Sequence, residues 1–335
     1  MTSPQLAQLS NLALYGAMAV LAVAMLAFAV HLARLAPSRS AQRDRDRELV
    51  GVGAGSGTGV GATAATHAGT ADSALDSAQN PEAARKSGAM AMSLSWLAAM
   101  LLIASIALRA FAVMRPPITN LFEFGVGGAT ATLVVYLVLA QRRPLRWLGL
   151  FVVLPVLSIL GIALLLWYVP AAELAPALDD YWIAIHVPIA VLSYGIFTVA
   201  FVVTLMQLLV ERRERRRSEG QDVAPGLLDS LPDSARLDRI AYSLHVVAFP
   251  LWTFTIIAGA IWGQKAWGTY WSWDPKEIWS FVIWVLYAAY LHARATSGWK
   301  RRSSNLIAIA GYVAILLNVT AVNLMAPGLH SYSGL

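Results

Sequence analysis

The feature that most constrains this chain is a series of long apolar stretches without any charged residue. Stretches of 16 to 33 residues free of Asp, Glu, Lys and Arg alternate with short charged clusters. One helix needs about 20 apolar residues to cross the hydrocarbon core of a bilayer. Hydrophobic residues make up 58% of the chain and charged residues 13%, a composition that excludes a water-soluble enzyme. The pattern therefore predicts an all-α polytopic membrane protein.

Eight apolar stretches predict eight transmembrane helices. The first covers about residues 12–32 and lacks the basic segment and the small-residue cleavage site of a secretory signal. The other predicted spans are 92–113, 124–141, 147–168, 183–210, 240–262, 278–293 and 306–325.

The basic residues of the loops predict the orientation of these spans. When the loops alternate between two sides, 21 of the 25 Lys and Arg residues fall on one side and four on the other. The positive-inside rule places the basic side in the cytoplasm. Both chain termini and the loop 263–277 are then expected outside, in the cytoplasmic membrane of a bacterium. Because basic residues here mark topology, membrane lipid is an expected contact and nucleic acid is not.

The composition also predicts three regions. Residues 1–36 form the first transmembrane helix, and residues 91–335 form a seven-helix domain. Residues 37–90 include a segment rich in Gly, Ala, Ser and Thr, which buries too little apolar area to offset its conformational entropy. We expect this region to be a disordered cytoplasmic linker, in which His67 has no function.

Cysteine is absent from the chain. This absence excludes disulfides, iron–sulfur clusters, thiolate metal ligands and a CxxC redox relay within the chain.

Tryptophan is concentrated in one outer loop. Six of the twelve tryptophans lie between Trp262 and Trp284, and the densest part reads WGTYWSWDPKE from Trp267 to Glu277. One interpretation is an interfacial aromatic belt at the level of the lipid headgroups. The other is a binding platform on which Trp267, Trp271 and Trp273 face a large flat ligand such as a porphyrin.

Asp274 also has two interpretations. In Asp274-Pro275-Lys276-Glu277 the aspartate can be the N-cap of the seventh span, with proline at N1 and Glu277 completing a capping box. The pattern favours this cap over a catalytic or ligand-facing carboxylate.

Two of the six histidines border the tryptophan loop on the predicted outer side. His186 begins the fifth span, and His330 follows the last span. Each residue alone is typical of a hydrogen-bonded structural histidine. Together they can supply both axial ligands of a haem iron where no thiolate exists.

Other polar groups lie near the ends of spans. His292 and His31 are expected at one depth near the inner boundary; His292 is the better ligand candidate, whereas His31 more simply caps a carbonyl or reaches the interface. His245 is expected in the core. Arg109 needs an anionic partner, for which both a haem propionate and Glu123 qualify.

The run from Gly259 to Arg294, GAIWGQKAWGTYWSWDPKEIWSFVIWVLYAAYLHAR, resembles the WWD domain of haem-handling membrane proteins. Its DPKE and LHAR segments resemble the CcsA branch (ResC, called CcsB in actinobacteria) of System II cytochrome c biogenesis. NLFEF at 120–124, WIAIHVPIAVLSY at 182–194 and GLHSY at 328–332 are further similarities. Together these segments span about 220 residues.

The resemblance implies a set of haem contacts. His186 and His330 would be the external ligands of the iron of haem b, and His292 would be a ligand of a second haem within the membrane. His31 is not covered, because the second intramembrane ligand of the family is usually assigned to the partner protein, CcsB/ResB.

The resemblance also implies a function. The protein would be one subunit of a cytochrome c synthase (haem lyase), moving haem to the outer face and supporting its thioether attachment to the CxxCH motifs of apocytochrome c. Because the chain has no cysteine, the reacting thiols belong to apocytochrome c, and a thiol-reducing protein is a further expected partner.

Three other functions remain open at this point. A haem transporter without ligase activity needs the same ligands, and so does a membrane cytochrome that transfers electrons between two bis-histidine haems. The third is a receptor without haem whose tryptophans anchor it at the interface.

Overall fold

The computed structural model describes residues 3–53, 71–171, 180–224, 226–325 and 328–329. Within residues 36–53 and 71–81 it describes only the backbone. This part of the chain is a helical bundle. Its α-helices are α1 (Pro4–Gly53), α2 (Ala71–Val113), α3 (Leu121–Arg142), α4 (Gly149–Leu166), α5 (Tyr181–Ser218), α6 (Ser234–Trp267), α7 (Pro275–Ala295), α8 (Arg301–Val319) and α9 (Ala321–Met325). Short 3-10 helices at Arg146–Leu148 and Leu227–Ser230 precede α4 and α6.

Eight helical segments are long and apolar enough to cross a membrane. They lie at the eight predicted positions, so the prediction of a polytopic all-α protein is confirmed. The last span combines α8 and α9, from Arg301 to Met325.

Several helices continue well beyond the predicted spans. The first span was predicted at 12–32, whereas α1 extends from Pro4 to Gly53. The apolar pattern marks only the part of a helix that lies in hydrocarbon. Arg, Glu and Gln are good helix formers, so a helix does not need to end where charge begins.

The linker predicted at 37–90 is helical over much of its length. α1 covers its first part to Gly53, and α2 begins at Ala71. Ala84 is fully buried, and its carbonyl lies 2.7 Å from His31 Nδ1. The end of the predicted linker therefore packs against α1, because alanine-rich sequence suits a close helix pair. Residues 54–70, including His67, lie outside the described residues.

Small residues bring α1 and α2 together along their length. Ala17 and Ala24 of α1 and Ala91 and Ala98 of α2 are fully buried. Small side chains let two helix backbones approach closely within a membrane. The pair is completed by reciprocal hydrogen bonds in which the Ser10 and Ser105 hydroxyls each donate to the other's carbonyl, at 2.8 and 2.9 Å.

The helices α1 to α8 all contribute buried hydrophobic side chains to the core of the bundle. α5 packs on both α3 and α6 and is the most buried span. The approach of α3 and α5 depends on Gly195, where a Cβ would lie 2.9 Å from the backbone of Ala131. Phe197 stacks on Tyr287 with ring centroids 3.9 Å apart, which joins α5 to α7.

The loops alternate between two ends of the bundle. The tryptophan end, as we call it, carries the loop between α6 and α7, residues 268–274, and the start of α5. The arginine end carries the α5–α6 connection, residues 219–233, and the connection between α7 and α8. Alternation is confirmed, whereas the side of the membrane that each end faces stays a prediction.

An ion-pair cluster joins α5 to the α5–α6 connection at the arginine end. Arg213 and Arg217 both pair with Asp229, at 2.8 and 2.7 Å. Burial raises the pKa of this carboxyl, but hydrogen bonds from Gly226 N–H and from both guanidinium groups outweigh burial and hold its pKa below the usual 3.8. The neighbouring Ser230 hydroxyl donates to the carbonyl of Leu32, which ties α1 to the same end.

Candidate functional site

A cavity of about 1070 Å³, including its open mouth, lies at the tryptophan end. Its walls are the loop before α3, the first turns of α3 and α5, the second half of α6, the tryptophan loop and the start of α7, together with Asn323 of α9. The α6 helix ends at Gly268, whose φ of 77° provides the left-handed cap that begins the tryptophan loop. Parts of five helices and two loops therefore line the cavity.

His186 lies in the cavity wall in a fixed orientation. The residue is one turn into α5, and its Nδ1 is 2.9 Å from the carbonyl oxygen of Thr255 in α6. A carbonyl only accepts, so Nδ1 carries the proton and the lone pair of the neutral ring is on Nε2. This is the arrangement by which metal-ligating imidazoles are held.

The packing around His186 leaves little freedom to its ring. A Cβ at Gly259 would lie 2.7 Å from His186 Cε1, so only glycine admits the imidazole at this point. On another side the ring stacks on Trp262, with centroids 6.1 Å apart and planes inclined by 12°. The side chain is therefore oriented before any ligand arrives.

Of the three tryptophans of the predicted platform, only Trp271 lines the cavity. Trp271 lines the cavity together with Trp262 and Trp252. Trp267 packs edge-on against Trp262, with centroids 4.7 Å apart, and supports that wall. Trp273 is 70% exposed and meets Trp271 edge-on with centroids 5.8 Å apart.

The backbone of Trp273 is strained. Its φ of 60° lies in the left-handed region, which is costly for a bulky side chain. Glu277 holds this conformation, because its Oε2 accepts the N–H groups of both Ser272 and Asp274, at 2.8 and 3.1 Å. The strain turns the chain from the tryptophan loop into α7.

Asp274 caps α7 and also holds the C-terminal tail. Its Oδ1 accepts Lys276 N–H at 2.9 Å and Glu277 completes the capping box, so the predicted cap is confirmed. Its Oδ2 accepts Leu329 N–H at 2.6 Å. Gly328 lies so close that a Cβ there would collide with Asp274 Oδ2.

Arg109 has a partner in its own chain. Its Nε donates to Glu123 Oε1 at 2.8 Å, and Arg115 pairs with Glu123 Oε2 at 3.0 Å. The Glu123 side chain has no exposed surface. Of the two partners predicted for Arg109, the structure therefore shows the carboxylate of Glu123.

Comparison with known families identifies the fold that carries this cavity. The profile of the cytochrome c assembly protein family matches residues 86–330. The chain belongs to this family. The matched region contains α3 to α9 and all the cavity walls described above, so the resemblance seen in the tryptophan segment extends to the whole bundle around the cavity.

Relatives within this cytochrome c assembly family are named cytochrome c biogenesis protein CcsA. The chain is 33% identical over 242 residues to the CcsA of Prochlorococcus marinus, covering 64% of this chain and 75% of that protein. It is 31% identical over 252 residues to the CcsA of Porphyra purpurea, with 65% and 79% covered. The CcsA of Gloeobacter violaceus is 32% identical over 266 residues, again with 65% and 79% covered. This cytochrome c assembly protein therefore has a role in cytochrome c maturation and is a multi-pass membrane protein.

Three other histidines of this cytochrome c assembly protein, His31, His245 and His292, are not among the residues that line the cavity. His31 is buried between α1 and α2, and a Cβ at Gly88 would lie 2.8 Å from its ring. His292 is exposed on the last turn of α7, a helix that packs mainly on α8 and α6. His245 is in the core, 4.7 Å from Tyr290 between ring centroids. His330 lies outside the described residues.

Sequence analysis missed several residues that the cavity brings together. Gly259 and Thr255 orient His186 from a helix far along the chain, and Lys276 lines the wall beside Trp271. Asn120, the N-cap of α3, also lines the cavity. The NLFEF and DPKE segments were the signal for Asn120 and Lys276, since both belong to the family resemblance.

Proposed function

We propose that the protein is a CcsA-type subunit of a System II cytochrome c synthase, the haem lyase that joins haem b to apocytochrome c. The single observation that carries this proposal is His186, an imidazole held by a backbone carbonyl in the wall of a cavity that tryptophans also line.

The donor set of the cavity suits haem as the substrate. His186 offers Nε2 as an iron ligand, because Nδ1 is committed to Thr255. Trp271 lines the cavity and offers an apolar face for the porphyrin, while Trp262 packs behind the His186 ring. Bis-imidazole ligation is suited to an iron that is carried and protected from oxygen.

We assign the second external ligand to His330. Leu329, the residue before it, is hydrogen-bonded to Asp274 at the end of the tryptophan loop. Because Leu329 is the neighbour of His330 in the chain, this bond supports the assignment.

The tasks of this chain are to bind haem, to orient it and to limit the access of water. Haem supplies the vinyl groups that react: each cysteine thiol of a CxxCH motif adds its sulfur and hydrogen across one vinyl double bond. The thiols come from apocytochrome c, and this chain contains no cysteine. A thiol-reducing protein therefore keeps the substrate cysteines reduced.

We further propose that haem enters from a second site within the membrane that is shared with a CcsB/ResB-type partner. His292 is exposed on α7, where a neighbouring membrane protein can reach it. The role of His31 is structural in this proposal, since its ring is buried against α2. The arginine end faces the cytoplasm of a bacterium and the tryptophan end faces outwards.

The ligand assignment is tested by His186→Gly in the protein purified with its partner. We expect the Soret absorption of the external haem to be lost and added imidazole to restore part of it, because the glycine leaves a cavity of the right shape. His67→Gly is the control and should leave the spectrum unchanged. A His186→Gly protein with the full external haem spectrum would contradict the assignment.

The lyase activity is tested separately from haem transport. The purified complex is given haem and a reduced peptide containing CxxCH, and the product is analysed by mass spectrometry. Because the thiols add without loss of atoms, the expected mass is the sum of haem and peptide. A serine peptide, SxxSH, is the control. Transfer of haem without this adduct would identify a transporter.

The aromatic wall is tested by a pair of variants. Trp271→Ala should lower haem retention at the external site, because Trp271 lines the cavity. Trp273→Ala should lower it less, because that side chain is mostly exposed. Equal retention in Trp271→Ala and the unmodified protein would favour the interfacial belt.

A further inference from the structure

We propose that Lys276 binds a carboxylate of the molecule that enters the cavity, which is a porphyrin propionate if the proposed function is right. The lysine lies on the first turn of α7 and lines the cavity. In this role Lys276 orients the porphyrin within the plane of its ring.

The ammonium of Lys276 lacks an ion-pair partner among the residues that the structure describes. Its Nζ donates to Asn323 Oδ1 at 2.7 Å and to the carbonyl oxygen of Asn318 at 3.3 Å. Both acceptors are neutral. An ammonium has three N–H donors, so one remains for a ligand.

Asp274 compensates part of this charge but does not bind the ammonium. Its negative charge lies near Lys276. However, its oxygens accept the backbone N–H groups of Lys276 and Leu329.

The arginines at this end of the protein differ from Lys276 in this respect. Arg109 and Arg115 are both paired with the buried carboxylate of Glu123. A cation in a membrane protein is costly unless an anion or a polar pathway accompanies it. Lys276 is thus the cation of the cavity wall, within the described residues, whose charge a bound carboxylate can neutralise.

A carboxylate held at this point has a geometric consequence for haem. The two propionates of haem lie at one edge of the ring, and the two vinyl groups lie away from that edge. Stacking on tryptophans fixes the plane of a porphyrin but leaves it free to rotate in that plane. A single ionic contact at Lys276 removes this freedom and sets where the vinyl groups lie.

The test compares haem with haem dimethyl ester, in which both propionates are neutral. Each is titrated into the purified complex, and binding is followed by the absorption spectrum. The unmodified protein should bind haem about 10- to 150-fold more tightly than the ester, the range expected for a hydrogen bond to a charged group. Lys276→Met should bind both compounds with nearly the same affinity.

Two further variants make the comparison specific. Lys265→Met removes an exposed lysine of the same end of the protein and should keep the preference for haem. Lys276→Arg keeps the charge and should keep most of the preference. Size-exclusion chromatography and circular dichroism establish that each variant is folded.

The outcomes separate this inference from the proposed function. If the unmodified protein binds neither compound, the proposed function fails. If it binds haem and the ester equally well, or if Lys276→Met retains the preference for haem, the role of Lys276 is refuted while haem binding stands. If Lys276→Met does not fold, Lys276→Gln takes its place, because it removes the charge and keeps a polar side chain, and it too should bind both compounds with nearly the same affinity.

Discussion

Asp274→Asn is the substitution in which sequence and structure lead to different expectations. From sequence alone the change is mild, because asparagine is as good an N-cap as aspartate. In the structure one oxygen caps α7, while the other accepts Leu329 N–H. Asparagine has one acceptor oxygen and an amide NH₂ group. It can therefore keep the cap or the tail, but not both.

The magnitude follows from the bond that is lost. Hydrogen bonds to a charged group contribute about 1.5–3 kcal/mol, and an asparagine that keeps the cap turns an N–H donor towards the N–H of Leu329. A loss of this size changes the docked population of the tail by about 10- to 150-fold. Membrane insertion and helix α7 should be unaffected.

Hydrogen–deuterium exchange of the purified protein measures this effect directly. We expect the peptide that contains Leu329 to exchange about 10- to 150-fold faster in Asp274→Asn, while peptides of α7 exchange at the unmodified rate. Asp180→Asn is the matched control, because Asp180 caps α5 through Trp182 N–H at the same end of the bundle. In Asp180→Asn, the peptide that contains Leu329 should exchange at the unmodified rate.

The functional result should follow the exchange result. If Leu329 positions His330 for haem, cytochrome c maturation in Asp274→Asn should fall towards that of His330→Gly. Unchanged exchange of the Leu329 peptide would refute the tether. Faster exchange with normal maturation would show that the tether exists but does not serve the haem site.

Three other changes test separate parts of the structure. Glu123→Gln leaves two buried guanidinium groups without an anion and should destabilise the protein by about 3–5 kcal/mol, seen as a lower melting temperature in detergent. Gly259→Ala forces the His186 ring to move, and should cost about 1–3 kcal/mol and weaken haem binding; Gly128→Ala, with open space around its Cβ position, is the control. The lowered pKa of Asp229 means that its contribution to stability is present above its usual pKa of 3.8 and is lost as the pH falls below it. Asp229→Asn should remove that part of the acid destabilisation, as measured by thermal unfolding at several pH values.

The membrane architecture could be predicted because absence of charge is a direct physical requirement of hydrocarbon. The positions of all eight spans follow from it. The ends of α1 and α5 cannot be predicted in this way, since the part of a helix outside the bilayer needs no apolar stretch. The packing of α2 on α1 near Ala84 was not predicted. A run of small residues is typical of a disordered linker, but it also permits close contact between two helices.

The site was only partly predictable. His186 and Trp271 were predicted as site residues from the concentration of tryptophans near a histidine, and both line the cavity. The different environments of Trp271 and Trp273 could not be predicted, since a loop has no periodicity that indicates which side chain faces inwards. The bond between Asp274 and Leu329 joins residues 55 positions apart, and no local pattern reports such a contact.

The ion-pair cluster at the arginine end also has a practical consequence for imaging. α5 contains 38 residues and α6 contains 34, so the two helices are about 57 and 51 Å long, well beyond a hydrocarbon core of about 30 Å. The ends of this hairpin are fixed by Arg213, Arg217 and Asp229. A rigid projection of this kind emerges from a detergent micelle as a feature by which single particles of a 36.1 kDa chain can be aligned. It is also a defined surface on which a nanobody can be raised without covering the cavity at the other end.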